Sequence, residues 1–194
     1  IQTHTGKHLD LNDPKPEDVL IEDVAHALAQ TNRFSGMTPF PYSVAQHSVL
    51  VSRLCPPEHA LLGLLHDAAE AYVGAVTRPL RRAHYDIHHF SREKFTRYRL
   101  DDAFSQIETR VQRAVSAALG IPEPPWPREV CWADDVALVI EARAFFPGSE
   151  LWGLPALEVP PAVSGLPPLQ FVVEWTWYDV KNDFLNRYHA WRAR

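Results

Sequence analysis

The chain has 194 residues, of which 46% are hydrophobic and 22% charged, and its 19 Lys and Arg against 24 Asp and Glu leave a formal net charge of −5. That length buries a substantial core in one domain without a second globular unit, and the mild acidic balance argues against a general nucleic-acid binder, which would carry a basic face. Cys55 and Cys131 stand far apart and outside any CxxC pattern, so neither a disulfide framework nor a cysteine-based zinc site is expected. No apolar run is long enough to span a membrane, and the start lacks a basic segment followed by an apolar one, so the expected location is the cytoplasm, with no membrane partner.

Taken in chain order, the segment to about Pro16 is polar and turn-rich, fit for a short hairpin. Residues from Asp18 to Asn32 follow helical spacing through Val19, Val24, Ala27 and Leu28, with acidic residues near the start. Gly36 to Pro41 breaks that helix, and Ser43 is placed to cap the next, which carries Val44, Val51 and Leu54 on one face. Pro56-Pro57 separates it from a helix predicted over Glu58 to Val73, ending near Gly74. Arg78-Pro79-Leu80-Arg81-Arg82 follows, then a long polar helical stretch from His84 to Leu119 with an internal bend. Pro122 to Pro127 is a rigid loop before a helix from Arg128 to Phe146. Pro147 to Pro168 combines Pro and Gly with isolated Trp and Leu anchors, the composition of a loop that hugs the surface. A last helix runs from Thr176 to Trp191, with Thr176 and Asp179 as a variant capping box. Strand signals are weak, so the fold class is all-α in one domain.

The chemistry concentrates in four places. His66-Asp67 ends the apolar run Ala60-Leu61-Leu62-Gly63-Leu64-Leu65, where an imidazole beside a carboxylate is costly unless something compensates it. A divalent metal ion does so, because neutral imidazole and carboxylate both ligate first-row ions. His47 and Asp134, each in helix-like sequence elsewhere, complete a mixed nitrogen and oxygen shell. In a regular helix Glu70 falls one turn beyond His66 on nearly the same face, where a carboxyl serves as general acid or base. Singly, each of these residues also fits a structural role, as a hydrogen-bonded core histidine or an exposed acid. Another histidine cluster, His84, His88 and His89, lies in polar sequence and reads as a solvated helix face.

The motifs Thr3-His4-Thr5-Gly6, Asp23-Val24-Ala25-His26-Ala27-Leu28, Arg33-Phe34, Tyr42-Ser43-Val44-Ala45-Gln46-His47-Ser48, His66-Asp67-Ala68-Ala69-Glu70-Ala71-Tyr72 and Ala133-Asp134 together resemble the HD-domain metal-dependent phosphohydrolases. The likeness spans Thr3 to about Arg143 and is strongest to the small bacterial and phage members related to 5′-deoxynucleotidases and deoxynucleoside triphosphate hydrolases. It implies an HD-type helical bundle, with an irregular N-terminal segment and a Pro-rich loop before the last helix. It implies one divalent ion (Mn, Co, Zn, Fe or Mg) on His47, His66, Asp67 and Asp134, and Glu70 handling protons or the attacking water. It further implies that Arg33 contacts the substrate phosphate and that Phe34 lies beside the sugar or base.

The expected reaction is hydrolysis of a small-molecule nucleotide, foremost a 5′-(deoxy)nucleoside monophosphate. The alternatives are a triphosphohydrolase, with Arg78, Arg81 and Arg82 as added basic contacts, and a non-catalytic metal or nucleotide-binding module. The last is motivated by Gly74-Ala75, where many of the resembled enzymes carry Gly-Asp. Because those proteins are often oligomeric, a homodimer is a further expectation, with Trp175, Trp177 and Trp191 either packing between subunits or closing the chain's own core.

Overall fold

The structure, a computed structural model, describes residues 1–83, 100–149 and 174–193. Its helices are α1 (Ile21–Gln30), α2 (Val44–Leu54), α3 (Ala60–Leu65), α4 (Glu70–Val73), α5 (Leu100–Leu119), α6 (Arg128–Phe145) and α7 (Trp177–Arg192). Residues 78–83 are also helical. The described residues form no sheet, only isolated antiparallel bridges at Gln2–His8 and Asn32–Ser43. The all-α expectation holds. None of the described helices is long and apolar enough to cross a membrane. The cluster of His84, His88 and His89, and the Pro-rich loop from residue 150 to 168, lie outside the described residues.

The N-terminal segment is the short hairpin its composition predicts. Ile1 N donates to Leu9 O at 2.6 Å and Thr3 N to Lys7 O at 2.9 Å, around Gly6 at a φ of 89°. The loop is tied to α1 through Asp23, which accepts from Thr5 N at 2.8 Å and Thr5 Oγ1 at 2.7 Å. Asp23 is thereby satisfied although it is buried.

Helix α2 is the axis of the molecule. Every residue in it except Arg53 is buried, so it has no solvent face. On one side Val44, Ala45 and Val49 join a core built with Val24 and Leu28 of α1, Leu64 and Leu65 of α3, Val111 and Val115 of α5, and Val180 and Phe184 of α7. On the other, Leu50, Val51 and Leu54 join a second cluster with Leu62 of α3 and with Val130, Val136, Ala137, Ile140 and Phe145 of α6. Its start is fixed by a full capping box: Ser43 Oγ accepts from Gln46 N at 3.3 Å, and Gln46 Oε1 accepts from Ser43 N at 3.0 Å. The predicted cap at Thr176 is also present, with Thr176 Oγ1 accepting from Asp179 N at 3.2 Å. Trp175 packs against the core of its own chain, whereas Trp177 is 47% exposed.

One predicted element is corrected. The stretch from Glu58 to Val73 is not a continuous α-helix but α3 and α4 joined by a tight turn over residues 66–69. The backbone bonds there shorten to i→i−3, from Ala68 N to Leu65 O, Glu70 N to Asp67 O, Ala71 N to Ala68 O and Tyr72 N to Ala69 O. His66 contributes to the change, since its Nδ1 engages the carbonyl of Gly63 at 2.8 Å. In a 3₁₀ turn residues three apart eclipse, so Glu70 stands over Asp67 rather than over His66 as a regular helix would place it. Gly74, at a φ of 78°, then turns the chain away in the left-handed region open to glycine.

The close approach of α2 and α3 depends on Gly63. A Cβ there would meet Cys55 Sγ at 2.6 Å and the backbone Cα and N of Ser52 at 3.4 Å. Overpacking of this kind costs about 1–3 kcal/mol. Gly63→Val is therefore expected to lower the melting temperature by several degrees, while Gly63→Ala combined with Cys55→Ala recovers most of the loss. Thermal melts of the three proteins check this, and a Gly63→Val protein as stable as the parent would contradict it.

Candidate metal centre

Three elements bring the predicted ligands together. α2 supplies His47 from its buried middle, the 66–69 turn supplies His66 and Asp67, and α6 supplies Asp134. Ligand atoms of His47, His66 and Asp67 all lie within 4.8 Å of one another. Asp67 Oδ2 is 3.1 Å from His66 Nε2 and 3.7 Å from His47 Nε2. Asp134 Oδ1 closes the group from α6, at 3.1 Å from His47 Nε2 and 3.9 Å from His66 Nε2.

Both histidines are held by their other nitrogen. His66 Nδ1 faces the Gly63 carbonyl, which can only accept, at 2.8 Å. His47 Nδ1 is 2.7 Å from Glu141 Oε1. Each Nε2 is buried without a hydrogen bond of good geometry, the nearest carboxylate oxygens being Asp134 Oδ1 for His47 and Asp67 Oδ2 for His66, both at 3.1 Å. The two imidazole nitrogens and the Asp67 carboxylate form a group that could hold a divalent cation, with Asp134 beside the two histidines at its α6 edge. The donor set of two nitrogens and two oxygens does not select among first-row ions.

The charges around the centre oppose one another. Burial alone would lower the His47 pKa, and Arg33 adds to that, but the Glu141 and Asp134 carboxylates outweigh both and raise it to about 9. Burial works against ionisation of Asp67, yet the two imidazoles beside it bring its pKa down to about 2. Asp134 is likewise lowered, by His47 and His66 against the effect of burial. Glu70 moves the other way: burial, and then the Asp67 carboxylate over which it stands, push it up to about 8. Its Oε2 is buried without a partner.

Arg33 and Phe34 sit next to this group in a strained turn. Phe34 and Ser35 both adopt left-handed backbone, at φ 51° and 53°, which residues other than glycine seldom occupy. The Phe34 ring meets Phe146 edge-on at 5.2 Å between centroids and Phe145 at 6.2 Å, and the Arg33 guanidinium lies 5.3 Å from the Phe34 centroid. Arg33 does not point freely at solvent. Its Nη2 donates to Glu141 Oε2 at 2.9 Å, and its side chain is only 16% exposed.

Sequence reasoning missed Glu141, although it is fully buried and accepts from Tyr42 Oη at 2.9 Å in addition to His47 and Arg33. The signal was there: a carboxylate inside the apolar run Leu138-Val139-Ile140-Glu141-Ala142, two turns after Asp134 on the same helix. Of the arginines after Gly74, Arg81 is bound to Glu108 by two bonds, at 2.9 and 2.8 Å. Arg78 reaches the rim of the site, where Nη2 donates to Asp134 Oδ2 at 3.1 Å and Asp135 Oδ1 at 3.3 Å.

The chain is 32% identical to the protein YfdR of Escherichia coli (strain K12) over 166 residues, covering 82% of each chain. The chain belongs to the YfdR family. A second relative, RCAP_rcc00048 of Rhodobacter capsulatus, is 32% identical over 151 residues, covering 72% of this chain and 69% of that protein. Both relatives are described as uncharacterized proteins, so membership of the YfdR family carries no activity with it. No family model matches the chain.

The charge pattern predicts a pH response for this YfdR-family protein in the absence of a metal ion. The folded His47 value of about 9 exceeds the ordinary 6.5, so between those values the folded state holds more protons and stability falls as pH rises. Glu70 acts with the same sign from 4.5 to about 8. The lowered Asp67 and Asp134 contribute fully above 3.8 and stay constant in that window. The melting temperature of chelator-treated protein is expected to decline between pH 6.5 and 9. Added divalent ion should raise it most at the alkaline end, where His47 has no proton to displace. A flat profile, unmoved by metal, would contradict this assignment.

Proposed function

We propose that the chain is a metal-dependent phosphohydrolase of the HD-domain type acting on 5′-(deoxy)nucleoside monophosphates. The observation that carries this reading is the convergence of two buried, unpartnered Nε2 atoms with the Asp67 and Asp134 carboxylates, beside an arginine and a proton-bearing Glu70. His47, His66, Asp67 and Asp134 would hold the ion. When bound, a divalent cation supplies a Lewis acid for a phosphoryl oxygen and lowers the pKa of water at the site.

The chain's own groups do the remaining work. Arg33 keeps its charge throughout the working pH range and offsets charge on the phosphoryl oxygens. Glu70, whose burial favours the protonated form, is the carboxyl placed to hand a proton to the departing ester oxygen. The water oxygen bonds to phosphorus and the phosphorus–O5′ bond breaks; O5′ takes the Glu70 proton, one water proton returns to Glu70 and the other stays on the phosphate, leaving nucleoside and hydrogen phosphate.

A monophosphate suits the rim of the site better than a triphosphate. Arg81 is neutralised by Glu108 and Arg78 is engaged by Asp134 and Asp135, so these two charges are already answered by carboxylates. A triphosphohydrolase releasing triphosphate is the alternative within the enzyme class. One observation favours a non-catalytic module: Ala75, which stands where many of the resembled enzymes carry an acid, packs against the apolar core.

His66→Ala or Asp67→Ala is expected to abolish metal uptake and hydrolysis together. Glu70→Gln should retain metal and lose about 10²–10⁴-fold in kcat. Chromatography of products from pooled nucleoside mono- and triphosphates, with each divalent ion added in turn, separates the readings. Nucleoside plus orthophosphate supports the proposal, and nucleoside plus triphosphate the alternative. Bound metal with no product from any nucleotide indicates the non-catalytic module.

A further inference from the structure

We infer that Glu141 is a positioning residue whose carboxylate determines which nitrogen of His47 is presented to a metal ion. The inference rests on the metal-centre reading above and names a part of it that the ligand set alone does not contain. Asp134 and Glu141 lie seven residues apart on α6, which brings them back to within about 20° of the same stripe. One helix therefore flanks the His47 ring on both sides, with Glu141 Oε1 bonded at 2.7 Å to Nδ1 and Asp134 Oδ1 lying 3.1 Å from Nε2. An ionised carboxylate accepts and never donates, so the neutral ring must carry its hydrogen on Nδ1 and leave Nε2 bare. The Gly63 carbonyl imposes the same choice on His66.

Glu141 has a second duty from which this one must be separated. Its Oε2 accepts from Arg33 at 2.9 Å, and a guanidinium this deeply placed needs a counter-charge. A residue serving only as that counter-charge would be dispensable once Arg33 was gone. A residue that sets the His47 tautomer would not. Glutamine at position 141 offers an amide that can donate to Nδ1, which moves the ring hydrogen to Nε2 and blocks the ligating lone pair. Tyr42 holds the same oxygen at 2.9 Å and fixes the carboxylate against the ring.

The test uses the full chain, stripped of metal and titrated with Zn²⁺ by calorimetry, as the parent, Glu141→Gln and the doubly changed Arg33→Met/Glu141→Gln protein. The single variant is expected to bind Zn²⁺ about 10–100-fold more weakly. The double variant, with its charge balance restored, should recover thermal stability and keep the affinity loss. Long-range ¹H–¹⁵N spectra of the Zn²⁺-loaded parent should show the His47 hydrogen on Nδ1, a readout that stands even where the single variant does not fold. Parent-like affinity in the double variant, or a His47 hydrogen on Nε2 in the loaded parent, overturns the inference. If His66→Ala loses Zn²⁺ while Glu141→Gln binds like the parent, the metal centre stands and this inference alone fails. No uptake by the parent removes the metal centre and the inference with it.

Discussion

The arrangement at the centre of this protein depends on one buried carboxylate with three donors. Glu141 has no access to water, and an ionised carboxylate in that position is tolerable only if its oxygens are answered by hydrogen bonds and opposite charge. Tyr42, His47 and Arg33 provide both, and burial's upward pull on the Glu141 pKa is overcome chiefly by Arg33 and then by His47. Those three donors come from the turn before α2, from α2 itself and from the strained turn at Arg33–Gly36. The ion pair thus joins segments more than a hundred residues apart in sequence, and the cluster of His47, His66, Asp67 and Asp134 stands next to that junction.

The remaining geometry follows from backbone accounting. His66 and Asp67 fall where α3 tightens into i→i−3 bonding, which brings Asp67 and Glu70 into line while His66 and Asp67 still meet at 3.1 Å. That alignment gives the two carboxyls different characters, one held ionised by imidazoles and the other kept protonated by burial and by its neighbour. Paired carboxyls with opposed pKa values are a common basis for dividing proton-carrying from charge-holding roles.

Much of this was legible in the sequence. The helices at Ile21–Gln30, Val44–Leu54, Arg128–Phe145 and Trp177–Arg192 follow from apolar spacing, and Ser43 and Thr176 announce their caps. The convergence of His47, His66, Asp67 and Asp134 was readable as well, because polar residues inside apolar helical runs need a shared explanation. The tightening after Leu65 was not, since Ala-Leu-Leu-Gly-Leu-Leu-His-Asp-Ala-Ala-Glu is rich in helix formers and its weakest one, Gly63, lies inside α3 and not at the turn. The burial of α2 on all sides was also hidden: Gln46, His47, Ser48 and Ser52 give it the look of a two-faced helix, although all four are buried. Glu141 escaped notice for the same reason, as its partners are distant in sequence and a lone acid shows no period. Arg33 was found, but its attachment to Glu141 is a tertiary fact.

Helix α2 has no solvent-facing row, and this bears on how such a chain can change over generations. A surface helix can exchange its outer residues one at a time, whereas a helix packed by neighbours on every side accepts a new side chain only if a facing residue changes with it. His47 on α2 is therefore embedded in a part of the molecule where single steps are seldom tolerated. Ser35 and Gly36, and Arg78 and Arg82 after Gly74, lie at the surface and are less bound by that restriction. Diversification of what such a protein recognises has its open route there, at the rim, while a change at the centre requires a matching change beside it.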